Sequence, residues 1–205
     1  MFTGIIQELG TVAALERARG LVRVTVHAPA TASRVRRLES VAVNGVCLSV
    51  VTRRQHTLVF ELIPETQRLT TLVGLRAGRQ VNLEPSLTLA DRLGGQILFG
   101  HVDGLGRVVG RQQRAGEVVL EIRVARDLRN VLVPKGPVAL DGVSLTVGRT
   151  LTASTFTVHL IPETVRQTTL KDCAVGDTVN VELDYLAKLV WQFLTSRNGR
   201  PRTAW

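Results

Sequence analysis

The chain has 205 residues, of which 44% are hydrophobic and 21% charged, and its formal net charge is +9 at pH 7. No apolar run approaches the roughly 18 residues of a membrane span, and residues 1–6 lack the basic start of a signal peptide. We therefore expect a cytoplasmic protein with no membrane partner. The two cysteines and four histidines form no cluster, which excludes a disulfide framework and a metal-ligand spacing.

An internal repeat divides the chain into two halves. Residues 62–72, LIPETQRLTTL, return as residues 160–170, LIPETVRQTTL, at an offset of 98. Further pairs lie at offsets of 96 to 98: residues 4–6 with 100–102, 43–50 with 140–147, and 81–84 with 179–182. A period of this length predicts two complete small domains. We assign residues 1–96 to the first, 97–184 to the second, and 185–205 to a C-terminal helix and tail.

Strands are predicted where Val, Thr and Leu alternate or run over four to eight residues between turn residues. They cover residues 21–26, 40–51, 57–62 and 80–84 of the first half, and residues 117–124, 138–147, 155–160 and 178–183 of the second. Short, evenly spaced strands in a unit of about 95 residues favour a closed barrel, because closure removes exposed sheet edges. The predicted fold class is all-β, with two tandem six-stranded barrels.

Three stretches predict helices. Residues 66–72 and 164–170 are short and equivalent by the repeat. After residue 184, Leu186, Leu189, Val190 and Phe193 form one apolar stripe at helical spacing. This helix either folds against the second barrel or, as we favour, meets the same stripe on other chains as an oligomerisation helix. The tail, residues 198–203, is predicted to be disordered.

The positive charge raises the alternative of nucleic-acid binding. Arginines are spread through both halves, however, and aromatic residues make up only 4% of the chain, so no stacking platform between cations is visible. We predict no nucleic-acid partner. We interpret the arginines as solvent-exposed residues at the rims of the barrels. A second interpretation is that they bind anionic ligands.

Several motifs together resemble one family. They are MFTGI at residues 1–5, NGVCLSV at 44–50, GHVDG at 100–104, DGVSLTV at 141–147, and the paired IPET segments. In combination they are similar to riboflavin synthase of the alpha-chain type, a lumazine-binding family, from residue 1 to about residue 193. The resemblance implies Greek-key barrels, a C-terminal helix that assembles a homotrimer, and association with lumazine synthase. It implies no redox cofactor and no metal.

The implied reaction is a dismutation of two 6,7-dimethyl-8-ribityllumazine molecules. One molecule transfers a four-carbon unit to the other, giving riboflavin and 5-amino-6-(D-ribitylamino)uracil. The reacting pair would lie between the N-terminal barrel of one subunit and the C-terminal barrel of the next. The alternative is a non-catalytic lumazine- or flavin-binding antenna protein of the same fold. Because the second copy keeps Ser144, Thr146, Glu163 and Thr164, we favour the enzyme.

The resemblance places catalytic roles on six residues: Cys47, His101, Ser144, Ser40, Lys135 and Asp141. Cys47 either delivers the nucleophile or orients water, although a lone strand cysteine is ordinarily a small buried hydrophobe. His101, otherwise a structural histidine, would assist proton movement. Lys135 is either an exposed turn cation or the partner of a lumazine anion. Ser40 could equally be a strand-end hydroxyl.

Substrate contacts are predicted from the same resemblance. Each Glu-Thr pair is either a first-turn carboxylate with a capping hydroxyl or, as we favour, a set of partners for the ribityl chain. The predicted binding residues are Gly4, Ile5, Ile6, Cys47, Leu48, Ser49, Glu61, Leu62, Ile63, Pro64, Glu65, Thr66, Gly100, His101, Val102, Lys135, Ser144, Leu145, Thr146, Ile161, Pro162, Glu163, Thr164, Val165 and Arg166. Gln96 stands where the resemblance leads us to expect His, and its amide can form hydrogen bonds but cannot act as an acid or base.

Overall fold

The computed structural model describes residues 1–18 and 20–197, so the predicted disordered tail lies outside the described residues. The first half contains β1 (Glu8–Ala18), β2 (Leu21–His27), α1 (Pro29–Arg34), β3 (Ser40–Val43), β4 (Val46–Ser49), β5 (Thr52–Arg53), β6 (Thr57–Leu62), α2 (Pro64–Leu69) and β7 (Gln80–Pro85). The second half contains β8 (Gly104–Arg114), β9 (Glu117–Arg123), α3 (Arg126–Val131), β10 (Pro137–Leu140), β11 (Val143–Leu151), β12 (Thr155–Leu160), α4 (Pro162–Gln167), β13 (Thr178–Leu183) and α5 (Tyr185–Arg197). Short 3-10 helices follow α2 at Thr71–Gly74 and α4 at Thr169–Asp172.

The second half is a closed antiparallel barrel in the order β10-β11-β12-β9-β8-β13. The first half follows the same order, but the strand equivalent to β11 is interrupted after Ser49, leaving β4 and β5 as two pieces. Across this break the backbone N–H of Val51 still donates to the carbonyl of Val59 at 2.9 Å. The predicted all-β architecture of two tandem six-stranded units with a C-terminal helix is therefore confirmed, with one barrel less regular than the other.

Several local predictions were incomplete. The long strands β1 and β8 and the short helices α1 and α3 were not predicted. The continuous strands predicted at 40–51 and 138–147 are each split by a tight two-residue turn, Asn44-Gly45 in one and Asp141-Gly142 in the other. All four turn residues have positive φ, from 44° to 78°, as the favoured hairpin turn requires.

The repeated helices also begin earlier than predicted. Each opens at its proline, Pro64 or Pro162, because a proline at the first helical position lacks an N–H that would have no partner there. The α-helix then ends after Leu69 or Gln167 and the chain continues as a 3-10 helix. The prediction of one continuous helix over 66–72 and over 164–170 was wrong in these bounds.

Each barrel has its own hydrophobic core, formed by the inward side chains of its strands. Phe60, Leu58 and Leu62 are fully buried in the first barrel, and Phe156 and Leu160 in the second. A small third cluster of Phe2, Ala42, Leu98 and Ala139 joins the two barrels. Since each core lies within one half of the sequence, duplication copied a complete core and not a part of one.

Two asparagines connect the barrels in a pseudo-symmetric way. Asn82 on β7 donates to the carbonyl of Asp141 at 2.9 Å and accepts from the backbone N–H of Thr169 at 2.8 Å. Asn180 on β13 donates to the carbonyl of Asn44 and accepts from Thr71, both at 2.8 Å. Both asparagines are buried. These paired bonds make the interface between barrels a repeated feature, like the barrels themselves.

Helix α5 presents two different faces. Ala187 and Trp191 pack against the core of the second barrel, and Asp184 caps the helix by accepting from the N–H of Ala187 at 2.8 Å. The predicted apolar stripe faces away from the second barrel, since Leu186 and Val190 are 66% and 59% exposed. The helix therefore does fold on the second barrel, but through other residues than the stripe.

Candidate functional site

Several of the predicted reactive groups are outward-facing side chains on β4 and β11. On β4, Val46 and Leu48 point into the first core, so Cys47 and Ser49 share the opposite face. Ser40 pairs directly with Ser49 across the β3–β4 hairpin, which adds a third polar group to that face. On β11 the same alternation sets Ser144 and Thr146 outward. Sheet geometry therefore gives each barrel one polar outer face.

A crossing segment completes the first of these faces. The carbonyl of Gly100 accepts from the backbone N–H of Cys47 at 2.9 Å, and Val102 packs against the core of the first barrel. Gly100 has φ +73°, and a Cβ there would lie 2.6 Å from the Cβ of Cys47. Only glycine allows this approach. The structure thus sets the exposed His101 in the segment that runs beside Cys47.

The N-terminal segment makes the equivalent contact with the second barrel. The carbonyl of Gly4 accepts from the N–H of Ser144 at 2.9 Å, and Ile6 packs against the second core. Gly4 has φ +77°, and a Cβ there would lie 2.6 Å from the Cβ of Ser144. The two segments are therefore exchanged: each runs from its own half to the polar face of the other. Cys47 and His101 belong to one site, and Ser144 and Ile5 to the other.

Gln96 contacts Ser144. The Ser144 hydroxyl donates to Oε1 of Gln96 at 2.9 Å, while the Gln96 backbone N–H donates to the carbonyl of Thr3 at 3.0 Å. Gln96 is buried, and its amide nitrogen has no hydrogen-bond partner in the structure. The hydrogen bond to Gln96 fixes the orientation of the Ser144 hydroxyl. Neither composition nor the repeat indicated this contact.

An open cavity of about 490 Å³ lies over the polar face of the second barrel. It is lined by Lys135, Ser144, Leu145, Thr146, Val147, Gly148, Arg149, His159, Ile161 and Thr164. Six predicted binding residues thus line one cavity: Lys135, Ser144, Leu145, Thr146, Ile161 and Thr164. The backbone of Lys135 is left-handed, with φ +66°. Sequence reasoning missed Arg149 and His159. The repeat held the signal for His159, because it is the counterpart of the predicted Glu61.

The two Glu-Thr pairs are arranged alike. Glu65 pairs with Arg68 at 2.7 Å, and Glu163 pairs with Arg166, in each case within the helix and in an exposed position. The hydrogen bond from Arg68 holds the pKa of Glu65 below its usual range. Of the four residues in the two Glu-Thr pairs, Thr164 lines the cavity over the second barrel. Each carboxylate therefore already has a cationic partner within its own helix.

Several predicted binding residues reach the polar faces only through their backbones or not at all. Leu48, Leu62 and Leu145 point into the barrel cores, and Val165 packs against the second core. Ile63, Pro64 and Pro162 are exposed at the starts of α2 and α4, and Ile161 lines the cavity. Glu61 forms an ion pair with Arg23 at 2.7 Å. The direct side-chain candidates are therefore the outward strand residues, the crossing segments and the cavity residues Lys135, Ile161 and Thr164.

Asp141 lies apart from the other predicted catalytic residues. It occupies the β10–β11 turn at the interface between barrels, where its Oδ1 accepts from the N–H of Asn180 at 2.8 Å. Burial raises the pKa of Asp141 to about 7, although the hydrogen bond from Asn180 lowers it in part. A groove of about 400 Å³ between the barrels borders it, not the cavity that contains Lys135.

Two buried glutamates anchor the crossing segments. Glu84 on β7 accepts from the N–H groups of Thr3 and Gly4 at 2.6 and 2.9 Å. Glu182 on β13 accepts from Phe99 and Gly100 at 2.8 and 3.1 Å. Burial raises the pKa of both, that of Glu182 to about 7. The repeat showed that Glu84 and Glu182 occupy equivalent positions. It did not indicate that they hold the crossing segments.

The described residues, 1–18 and 20–197, include no group of three or more His, Cys, Asp or Glu side chains arranged to bind a metal ion. Within the same residues, no helix is long and apolar enough to cross a membrane. Cys47 and Cys173 are both free thiols. Burial raises the pKa of Cys173 to about 12, so its thiol is protonated and unreactive near neutrality.

The chain matches known proteins along almost its whole length. A family model described as the lumazine binding domain matches twice, at residues 3–86 and 99–184. Riboflavin synthase of Bacillus amyloliquefaciens is 36% identical over 95% of this chain and 90% of its own, and that of Mycobacterium bovis is 38% identical over 96% and 99%. The crystal structure of LumP complexed with 6,7-dimethyl-8-(1'-D-ribityl)lumazine has the same fold, with a TM-score of 0.81 over 89% of this chain and 99% of that one, at 23% identity.

Proposed function

This chain belongs to the riboflavin synthase family of lumazine-binding proteins, and from that membership we propose that it is a working riboflavin synthase. It converts two molecules of 6,7-dimethyl-8-ribityllumazine into riboflavin and 5-amino-6-(D-ribitylamino)uracil. The observation that carries the proposal is the presence of two complete polar faces, each joined by a crossing segment with the same backbone contact.

Two similar sites suit a reaction between two copies of one compound. Transfer of a four-carbon unit from one lumazine to the other conserves all atoms, since the two products together contain the atoms of two substrates. No oxidant is therefore required. Holding both molecules in register replaces a chance encounter with an intramolecular step, which contributes several kcal/mol and up to roughly 10. The protein's main task is positioning.

The first site provides the groups for proton and nucleophile chemistry. His101 is exposed in the segment that runs beside Cys47, and its imidazole is a group that can accept and donate a proton. Cys47, half-buried, either adds to the acceptor lumazine or orients the water that does. Ser40 and Ser49 lie on the same face and bind polar atoms of the ring. These roles define the first barrel as the more reactive half.

The second site provides electrostatic stabilisation. Lys135 lines its cavity, where an ammonium group stabilises the anion that forms when a lumazine loses a methyl proton. Thr146 and Thr164 line the cavity and supply hydroxyls for the ribityl chain. Glu163, next to Thr164 in the chain and paired with Arg166, stays a predicted acceptor. Asp141 acts from the interface between barrels by holding the β10–β11 turn. Boundaries at residues 96 and 184 and association with lumazine synthase stay predictions.

The exposed stripe on α5 supports assembly into a homotrimer, in which the first barrel of one subunit faces the second barrel of its neighbour. Changing Leu186 and Val190 to glutamate leaves the packing of Ala187 and Trp191 intact. We expect this double variant, and a chain ending at Asp184, to sediment as monomers with little activity. An active monomer would contradict the intersubunit site. Gln192→Glu, also exposed, is the matched control.

Turnover is tested directly by incubating the purified protein with dimethylribityllumazine and no cofactor. We expect riboflavin and the uracil product in equal amounts, measured by chromatography. Tight lumazine binding without any riboflavin would rule out the enzyme and leave a lumazine-binding protein. Replacing Cys47 and His101 together, as Cys47→Ala and His101→Gln, should stop product formation without preventing lumazine binding at the second barrel.

A further inference from the structure

The segment that carries His101 has contacts beyond the first barrel. On one side the carbonyl of Gly100 accepts from Cys47. On the other, Glu182 accepts from the N–H groups of Phe99 and Gly100. Glu182 lies near the end of β13, two residues before the aspartate that caps α5. The position of His101 is therefore connected to the place where the C-terminal helix begins.

The first turn of α5 adds an ion pair to this connection. Lys188 Nζ lies 2.8 and 3.0 Å from the two carboxylate oxygens of Asp103, two residues after His101. The Asp103 carboxylate also accepts from the N–H of Leu183 at 2.8 Å. The pair is largely excluded from solvent, since the side chains of Lys188 and Asp103 are 17% and 7% exposed. Separating the two segments would leave both charges poorly solvated and unpaired, which is strongly unfavourable.

A row of rings runs from the same turn to His101. The Tyr185 ring lies 5.0 Å from the Phe99 ring, and the Phe99 ring stacks on the His101 imidazole at 6.0 Å between centroids. Lys188 Nζ lies 5.6 Å from the centroid of Tyr185, which ties the rings to the ion pair. Phe99 thus stands between the helix and the imidazole, and Tyr185 supports it from the far side.

The other crossing segment lacks this support. Glu84 holds residues 3 and 4 as Glu182 holds residues 99 and 100, but the described residues 86–103, which follow β7, form no helix. An open cavity of about 570 Å³ lies there instead, lined in part by Thr3, Ile5, Glu84 and Leu87. The barrel fold and the glutamate anchor are therefore sufficient to hold a crossing segment. The contacts of α5 are an addition made only on the side of His101.

We infer that the first turn of α5 positions His101 for the reaction, with Tyr185 and Lys188 as positioning residues. This inference rests on the proposed function, because it assigns a purpose to the geometry of the Cys47–His101 site. The same helix carries the exposed stripe proposed for assembly. Contact between subunits along α5 is consequently transmitted to the imidazole through two side chains of its first turn.

The test separates positioning from stability. Replacing only Lys188 would leave the Asp103 charge buried and unpaired, so the main variant is Asp103→Asn with Lys188→Met, which removes both charges together. Tyr185→Leu removes the supporting ring, and Tyr185→Phe is its control because it keeps the ring. Each protein is measured for kcat and KM of riboflavin formation, for its sedimentation, and for the ring proton signals of His101 by NMR, assigned with His101→Gln.

We expect the double variant and Tyr185→Leu to lose about tenfold in kcat with little change in KM, because both substrates still bind while the imidazole is misplaced. Their His101 signals should shift as the stacking on Phe99 changes. Tyr185→Phe should match the unmodified protein in all three measurements. Unchanged His101 signals and unchanged kcat in variants that are merely less stable would overturn the inference. The NMR result decides the positioning even if the unmodified chain makes no riboflavin.

Discussion

The two barrels share a fold, a core pattern and an interface, yet they differ at their polar outer faces. The first presents Cys47 beside the His101 segment, and the second presents Ser144 with Lys135 and Gln96. Core positions are apolar in both barrels, whereas at the faces Cys47 corresponds to Ser144 and Leu38 to Lys135. Changes at a few exposed positions therefore give a duplicated protein two chemically different faces while its cores stay apolar.

The close approach of each crossing segment is the contact most sensitive to mutation. Gly100→Ala would force a Cβ into Cys47 and a left-handed backbone onto alanine. We expect the free energy of unfolding, measured in urea, to fall by about 3 kcal/mol. Gly116→Ala is the matched control, because Gly116 has φ +80° with nothing within 4 Å of its Cβ position, and it should cost only about 1 kcal/mol. Equal losses in the two variants would contradict the close contact.

Exchange of one residue tests the electrostatic difference between the sites. Leu38 is the counterpart of Lys135, and both have a left-handed backbone, so Lys135→Leu should fold normally. We expect kcat for riboflavin formation to fall by about 10²-fold with an unchanged melting temperature, because the anionic intermediate loses its cation. The reverse exchange, Leu38→Lys, serves as the control. If Lys135→Leu retains full activity, Lys135 is only an exposed turn cation.

A smaller effect concerns the interface between barrels. Asp141 is the counterpart of Asn44, and burial raises its pKa to about 7 from an ordinary value of 3.8. A raised carboxyl pKa means that folding favours the protonated form, so this contribution to stability is present below pH 4 and is lost as the pH rises through 7. Asp141→Asn, which restores the residue of the first barrel, should therefore stabilise the protein at pH 8 by on the order of 2 kcal/mol.

The measurement for this variant is urea unfolding at pH 5 and at pH 8. The unmodified protein should lose more stability between the two values than Asp141→Asn does, although Glu182, with a similarly raised pKa, leaves part of the loss in both. Asn44→Asp is the informative counterpart, because it should introduce the same pH dependence in the first barrel. Parallel curves for all three proteins would show that Asp141 does not titrate in this range.

Much of this molecule could be predicted from its sequence because the repeat is strong. Matching segments such as residues 62–72 and 160–170 indicated two domains, and alternation of apolar residues indicated strands. The outward placement of Cys47, Ser49, Ser144 and Thr146 follows from the same alternation. Strands β1 and β8 were missed because polar and glycine residues interrupt their apolar pattern, and α1 and α3 because six residues are too few to show helical periodicity.

The sequence by itself determined the two barrels, the exposed stripe on α5 and the kinds of groups available for chemistry, since these depend on local patterns that duplication preserved. Tertiary structure alone decided which groups lie close together. Gly100 lies 53 residues from Cys47, and Gly4 lies 140 from Ser144, so only the folded path of the chain exchanges the two segments between barrels. Likewise, the support of His101 by Tyr185 and Lys188 depends on contacts across more than 80 residues, which no local pattern encodes.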